Sequence, residues 1–267
     1  MSRRKRRDLQ GISTCPRKLY ASAFVLCSAL VLSPIVGVHA AELQVLAGGA
    51  MTAPMKEIAA QFESATGHKV VFRFGTTPEL IKLVTTGGPF DLAVVPREVF
   101  KDAGAQAQVA SGPTTDIARV GLGVAVRSGA AKPDITSPDA LKQTLLNAQS
   151  IASIPESATG YQVLRVFERL GISDAMNVKM KAQPTPAQLV KTVADGEAEL
   201  GLFLTNVLTA PGLDLVGPFP AELQQEVVFT AAVAADAKEA KAAEAFMIYL
   251  TTPAATAVIK AKGMNPG

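Results

Sequence analysis

Ala47-Gly48-Gly49-Ala50-Met51-Thr52 separates two segments of different hydrophobic period, and the change across it points to the fold class. Upstream, Leu43, Val45 and Ala47 alternate with polar or small neighbours, the period of a strand over residues 42–47. Downstream, Met55, Ile58, Ala59, Phe62 and Ala65 recur at three and four residues, the period of a helix with Thr52 as its N-cap and Gly67 as its C-terminal glycine. The paired glycines permit a tight turn between strand and helix. Such a unit aims the first backbone N–H groups of the helix into the crevice beyond the strand, so the expected occupant is an anion and Gly49, Ala50 and Met51 are candidate contacts. The same residues also suit a turn that holds nothing, since no GxGxxG or phosphate-loop pattern accompanies them.

Two more units follow. Residues 69–74 read as a strand, too uniformly apolar to be half exposed, and Gly75-Thr76-Thr77-Pro78 leads into a helix with Leu80, Ile81 and Val84 on one face, broken by Gly87-Gly88-Pro89. Residues 90–95 are a third strand, closed by Pro96 and followed by a helix from Arg97. Three successive strand–helix units predict a parallel sheet with helices on its faces.

After the loop 111–115, a strand over 120–127 carries the chain into a second lobe. There helices over 139–146, 159–170 and 186–194 alternate with strands over 150–154, 177–181 and 199–204. A short strand at 213–216 and a long one at 225–234 bring the chain back, helices over 237–250 and 253–262 pack on the first lobe, and Gly263-Met264-Asn265-Pro266 is a tail. The expected fold is α/β: two lobes, each a mainly parallel sheet flanked by helices, joined by two β crossings. Lobe 1 is 41–119 with 230–267, and lobe 2 is 120–229.

Residues 1–40 read as a cleavable export signal. Arg3, Arg4, Lys5, Arg6, Arg7, Arg17 and Lys18 precede an apolar run over 23–38, and Val38-His39-Ala40 places small residues at a cleavage site. Ser28, Ser33, Pro34 and Gly37 interrupt that run, which argues against an uncleaved anchor. Of 26 Lys and Arg and 23 Asp and Glu residues, seven and one lie in this leader, which leaves 19 against 22 and a net charge of −3. No basic cluster with interleaved aromatics remains, so nucleic acid is not an expected partner. Cys15 and Cys27 leave with the leader, and the expected location is the periplasm. With His68 the one remaining histidine, no metal site is readable and no cofactor is expected.

An exported two-lobe α/β chain crossed twice by strands resembles the periplasmic solute-binding proteins, and more narrowly the molybdate-binding family with its relatives. The likeness rests on Leu46-Ala47-Gly48-Gly49-Ala50-Met51-Thr52, Lys56-Glu57-Ile58, Phe74-Gly75-Thr76-Thr77, Phe90-Asp91-Leu92-Ala93, Val193-Ala194-Asp195-Gly196-Glu197-Ala198-Glu199-Leu200-Gly201 and Leu250-Thr251-Thr252-Pro253-Ala254-Ala255. The resemblance implies an oxyanion held between the lobes by hydroxyls and helix N-termini and handed to an ABC permease of the inner membrane; the chain itself is expected to be a monomer. It implies contacts at Ala50, at Thr76 and Thr77, in the loop 155–159, and in the segment 203–206. Where the family usually places a serine and a tyrosine hydroxyl, this chain has Ala50 and Leu204. Losing two hydrogen bonds to a charged ligand weakens binding by about two to four orders of magnitude, which turns the expectation from molybdate toward an organic carboxylate.

Around that cleft the candidate ligand contacts are Gly49, Ala50, Met51, Thr76, Thr77, Arg97, Ser157, Thr159, Thr205 and Asn206. Arg97 offers a bidentate contact to a carboxylate, while Thr76 and Thr77 are equally suited to capping a helix. Tyr161 packs or binds, and His68 is read as a surface residue. The alternative function is a cofactor-independent isomerase of a tricarboxylate such as aconitate, an activity found among the family's relatives. It would need a base, Glu156 or Glu79, with Arg97 and Arg73 to hold carboxylates.

Overall fold

The computed structural model describes residues 40–86, 88–109 and 112–267. The expected export signal, Ala40 apart, lies outside the described residues, as do Gly87 of the expected helix break and Ser111 of the expected loop.

Strand β1 (Glu42–Gly48) runs parallel to β2 (Lys69–Gly75) and β3 (Leu92–Pro96), as strand–helix units require. A 3-10 turn, Gly49–Met51, leads into α1 (Thr52–Thr66), and α2 (Thr77–Thr85) joins β2 to β3. Successive side chains on a strand point to opposite faces, and the two faces here meet different helices. Leu43, Val45, Ala47, Leu92 and Val94 share a core with Met55, Ile58 and Phe62 of α1. Leu46, Ala93 and Val95 pack instead with Leu80 and Val84 of α2.

The second strand departs from expectation. β2 ends the sheet order, its residues alternate between exposed and half-buried, and Val71 is 44% exposed. Lys69 and Arg73 share that outer side, charges that discourage pairing with another chain's edge. Thr52 is not the N-cap either, because its hydroxyl donates to the Gly49 carbonyl at 2.7 Å inside the 3-10 turn. His68 is half-buried: Nδ1 accepts from the Ala41 N–H at 3.0 Å and the ring stacks on Phe62.

After β3 come a 3-10 turn, Arg97–Lys101, and α3 (Ala103–Ala107), where one longer helix was expected. The chain continues through β4 (Thr115–Arg127), α4 (Pro138–Asn147), β5 (Ile151–Ser153), α5 (Ala158–Leu170), α6 (Ser173–Lys179), β6 (Met180–Ala182) and α7 (Pro186–Ala194). It closes with β7 (Leu200–Leu204), β8 (Leu213–Pro218), β9 (Glu226–Val233), α8 (Ala240–Tyr249), α9 (Pro253–Ala261) and β10 (Asn265–Pro266). Residues 177–179, expected in a strand, are the end of α6: Met176 is buried and Val178 is 88% exposed, a helical rather than alternating pattern.

β4 changes partners midway. Thr115 to Gly121 pair with β9, and Leu122 to Arg127 pair with β7 and β8, all antiparallel. At the change of partner, the Gln224 side chain imitates a strand: Oε1 accepts from the Leu122 N–H at 2.7 Å and Nε2 donates to its carbonyl at 2.9 Å. Gly121 leaves room for it, since a Cβ there would lie 2.9 Å from the Gln224 amide carbon. The expected C-terminal tail is a strand instead, with β10 antiparallel to the start of β4 and the Gly267 N–H donating to the Ile117 carbonyl at 3.0 Å.

Candidate functional site

Four helical segments begin around one cavity. Gly49 opens the turn into α1, and Thr77, Ala158 and Pro186 are the first residues of α2, α5 and α7; all four line it. The N-termini are fixed by local sequence: Ser157 accepts from the Gly160 N–H at 3.0 Å, Thr185 accepts from the Gln188 N–H at 3.2 Å, and Pro186 needs no donor at a first position. First-turn N–H groups lack intrahelical partners and carry the positive end of the helix dipole. No residue lining the cavity has a charged side chain. Helix dipoles thus turn their positive ends to the cavity without a cation, offset at α2 by the Glu79 carboxylate bound to Thr76, and at about 30 Å³ the cavity has room for one or two waters or one compact group.

The glycines are there for space. Gly48 has φ −62° and ψ 139°, ordinary extended backbone, but a Cβ on it would lie 2.7 Å from Phe229 Cε1. A Cβ on Gly49 would press on the Pro186 ring at 3.3 Å. Close approach of a strand and a helix start, not an unusual turn, excludes larger residues.

The expected contacts divide into those that reach this cavity and those that do not. Gly49, Ala50, Thr76, Thr77, Ser157 and Thr159 line it, together with Leu204. Thr76 gives both its N–H (2.7 Å) and its hydroxyl (2.9 Å) to Glu79 Oε2, so its donors are already engaged. Ser157 donates its hydroxyl to the Ile154 carbonyl at 2.7 Å. Thr77 Oγ1 accepts from the Ala158 N–H at 2.9 Å, joining the start of α2 to the start of α5 across the cavity. Thr159 is buried, only 4% exposed, and lies on the cavity wall.

Met51 is fully buried in the core behind the turn. Arg97 is turned to an ion pair with Asp116 on β4, and Asp116 also accepts from the Thr230 hydroxyl at 2.7 Å. Thr205 donates its N–H to the Gly121 carbonyl at 3.0 Å, and its methyl would lie 2.8 Å from a Cβ on Gly123. Asn206 lies beside the cavity: Nδ2 donates to the Ala50 carbonyl at 2.9 Å and its buried Oδ1 has no partner. Arg73 is exposed on β2 and outside the cavity lining.

Neither carboxylate proposed as a base lines the cavity. Glu156 is exposed in a side groove of about 450 Å³ with Lys101, Tyr161 and Arg165. Glu79 is held below the usual carboxylate range, chiefly by the Thr76 N–H and then its hydroxyl, with Arg73 adding a smaller pull. A lowered pKa makes it a weaker base. Among the described residues no group of three His, Cys, Asp or Glu could hold a metal ion. Sequence reading missed Pro186 and Phe229 as wall residues; the Thr185-Pro186 helix start was a usable signal for the first, and nothing local marked the second.

A second groove, about 1060 Å³, shares Gly49, Ala50, Gly75, Thr76 and Pro186 with the cavity and extends along α1 past Thr52 and Lys56.

The family model of bacterial extracellular solute-binding proteins matches residues 43–265. An aconitate isomerase from Pseudomonas sp is 33% identical over 232 residues, 84% of this chain and 87% of that protein. The molybdate-binding protein ModA of Azotobacter vinelandii is 32% identical over 235 residues, 84% of this chain and 90% of that one. Among solved structures, the periplasmic molybdate-binding protein of Azotobacter vinelandii superposes with a TM-score of 0.71 at 23% identity, over 83% of this chain and 98% of that one. The sulfate-binding protein SubI of Mycobacterium tuberculosis H37Rv gives 0.71 at 15% identity, over 85% and 87%. These two likenesses show the α/β periplasmic binding protein fold.

Proposed function

Because the chain belongs to the family of bacterial extracellular solute-binding proteins, we propose that it captures a small organic anion in a cleft between two lobes. One observation carries this reading: four helical segments start around an uncharged cavity, an arrangement that attracts an anion through backbone N–H groups and dipoles. Thr77, Thr159 and the N–H groups of Gly49 and Ala50 are the contacts. Ala50 and Leu204 supply no side-chain donor, which disfavours a tetrahedral oxyanion that needs hydroxyls on every side. The carrier works as a monomer in the periplasm, after removal of residues 1–40, and delivers its ligand to an ABC permease.

Lobe 1, residues 41–119 and 230–267, closes on lobe 2, residues 120–229, about the crossings near 118–121 and 225–229. The partner change of β4 after Gly121 supports that pivot. A ligand at a hundred times its dissociation constant adds about 2.7 kcal/mol of stability, so thermal melting with molybdate, sulfate, acetate, succinate, citrate and aconitate reads the choice. Carboxylates are expected to raise the melting temperature more than molybdate or sulfate. A shift with molybdate alone would make this an oxyanion carrier and reject the organic-anion reading.

The likeness to an aconitate isomerase supports a second reading, turnover of the captured acid. The exposure of Glu156 and the lowered pKa of Glu79 count against it. Incorporation of deuterium into aconitate in heavy water with catalytic amounts of protein would establish turnover, and its absence would leave a binding protein.

A further inference from the structure

The central cavity is too small for more than a single carboxylate-sized group, yet it is continuous with a groove of about 1060 Å³. The groove's floor and walls are largely apolar, with Pro54, Phe74, Pro186, Val190, Val207 and Pro211. On one side it follows a single face of α1: Thr52, Ala53 and Lys56 are spaced to stack along that face, while Met55 and Ile58 turn into the core. Three charged side chains border the groove, and two of them are engaged. Glu79 accepts the N–H and hydroxyl of Thr76, and Lys262 pairs with Glu57 at 2.7 Å. Lys56 is exposed and makes no ion pair among the described residues.

We propose that this groove is a second subsite, which takes the body and far end of an elongated organic acid. One carboxylate sits at the helix starts, a short apolar or unsaturated carbon chain lies along the proline and valine wall, and a second acidic group meets the Lys56 ammonium. Lys56 stands four residues along α1 from Thr52, a rise of about 6 Å, and the cavity wall at Gly49 and Ala50 lies before Thr52, so acids with several carbons between their ends fit. Glu79, already negative, repels the far acid group from its own part of the groove and leaves Lys56 as the charge that selects it. This inference rests on the organic-anion reading above and narrows it to acids with two separated charges.

Titration calorimetry at neutral pH with acetate, butyrate, succinate, glutarate, adipate and trans-aconitate tests it, using the wild-type protein, Lys56→Gln and Lys56→Arg. Both substitutions keep a good helix former at an exposed position, so the fold is retained. Wild type is expected to favour diacids over monoacids, Lys56→Gln to shrink that preference about tenfold, and Lys56→Arg to keep it. Equal losses for mono- and diacids in Lys56→Gln, or no loss, would overturn the Lys56 subsite while the cleft reading stands. Failure of every carboxylate to bind the wild-type protein would overturn both.

Discussion

Asp91 is 4% exposed, and its two carboxylate oxygens hold the backbone N–H groups of Gln44 and Glu239 at 2.8 and 3.0 Å. One side chain thus ties β1 to the residue before α8. Asp91→Ala strands two part-buried donors, each costing about 1–3 kcal/mol, so the urea midpoint should fall well below wild type with secondary structure retained. A loss under about 1 kcal/mol would mean that water replaces the carboxylate. Ala50 carries the complementary test of the site. Ala50→Ser restores a hydroxyl on the cavity wall, and one hydrogen bond to a charged ligand is worth about 1.5–3 kcal/mol. Molybdate should then bind at least about tenfold more tightly than to wild type, read by calorimetry. No gain would mean that the hydroxyl points away from the bound anion.

At the scale of elements, β10 turns the last residues into part of the sheet. Deleting residues 265–267 removes the pairing of Asn265 and Pro266 with Arg119 and Ala118 and the Gly267 bond to Ile117. The expected loss is about 1–3 kcal/mol, seen as a lower melting temperature, and an unchanged melt would show β10 to be an ornament of the sheet. Elements with strong local signals were legible from sequence: α7 starts at Pro186 after the Thr185 cap and ends at Ala194 as its period requires, and α1 stops at Gly67 in the left-handed region. Elements defined by distant neighbours were not. The exposure of β2 follows from its place at the sheet edge, and β10 exists only because β4 runs past it. The site divides the same way. The helix start after Gly75-Thr76-Thr77 was readable from its turn and α5 to within a residue from its period, but the first helix was expected to be capped at Thr52 in place of the 3-10 turn at Gly49, and the ion pair that withdraws Arg97 depends on Asp116, on another strand.

For the whole molecule, that ion pair lies where three strands meet. Arg97 follows β3, Asp116 is on β4 and Thr230 is on β9, so the network joins β4 and β9 to the end of the parallel strand β3. The Arg97 guanidinium, and to a lesser degree the Thr230 hydroxyl, hold the Asp116 carboxyl below its usual range. A carboxylate whose pKa is depressed by folding contributes stability that is fully present above its unfolded pKa, about 3.9, and lost as pH falls through the lower folded value. Asp116→Asn should therefore lower stability at neutral pH and flatten the acid limb of a urea-stability profile. A wild-type acid limb in the variant would assign that limb to other carboxylates. The cavity behaves in the opposite way, because nothing on its wall titrates. Backbone dipoles keep the same strength as pH falls and the Lys56 ammonium stays charged, so on the acid side the pH at which the proposed capture fails would be set by the guest: the protein would act as a gauge of whether its cargo is ionised, releasing an acid that has taken up its proton and holding the same molecule once it has lost it.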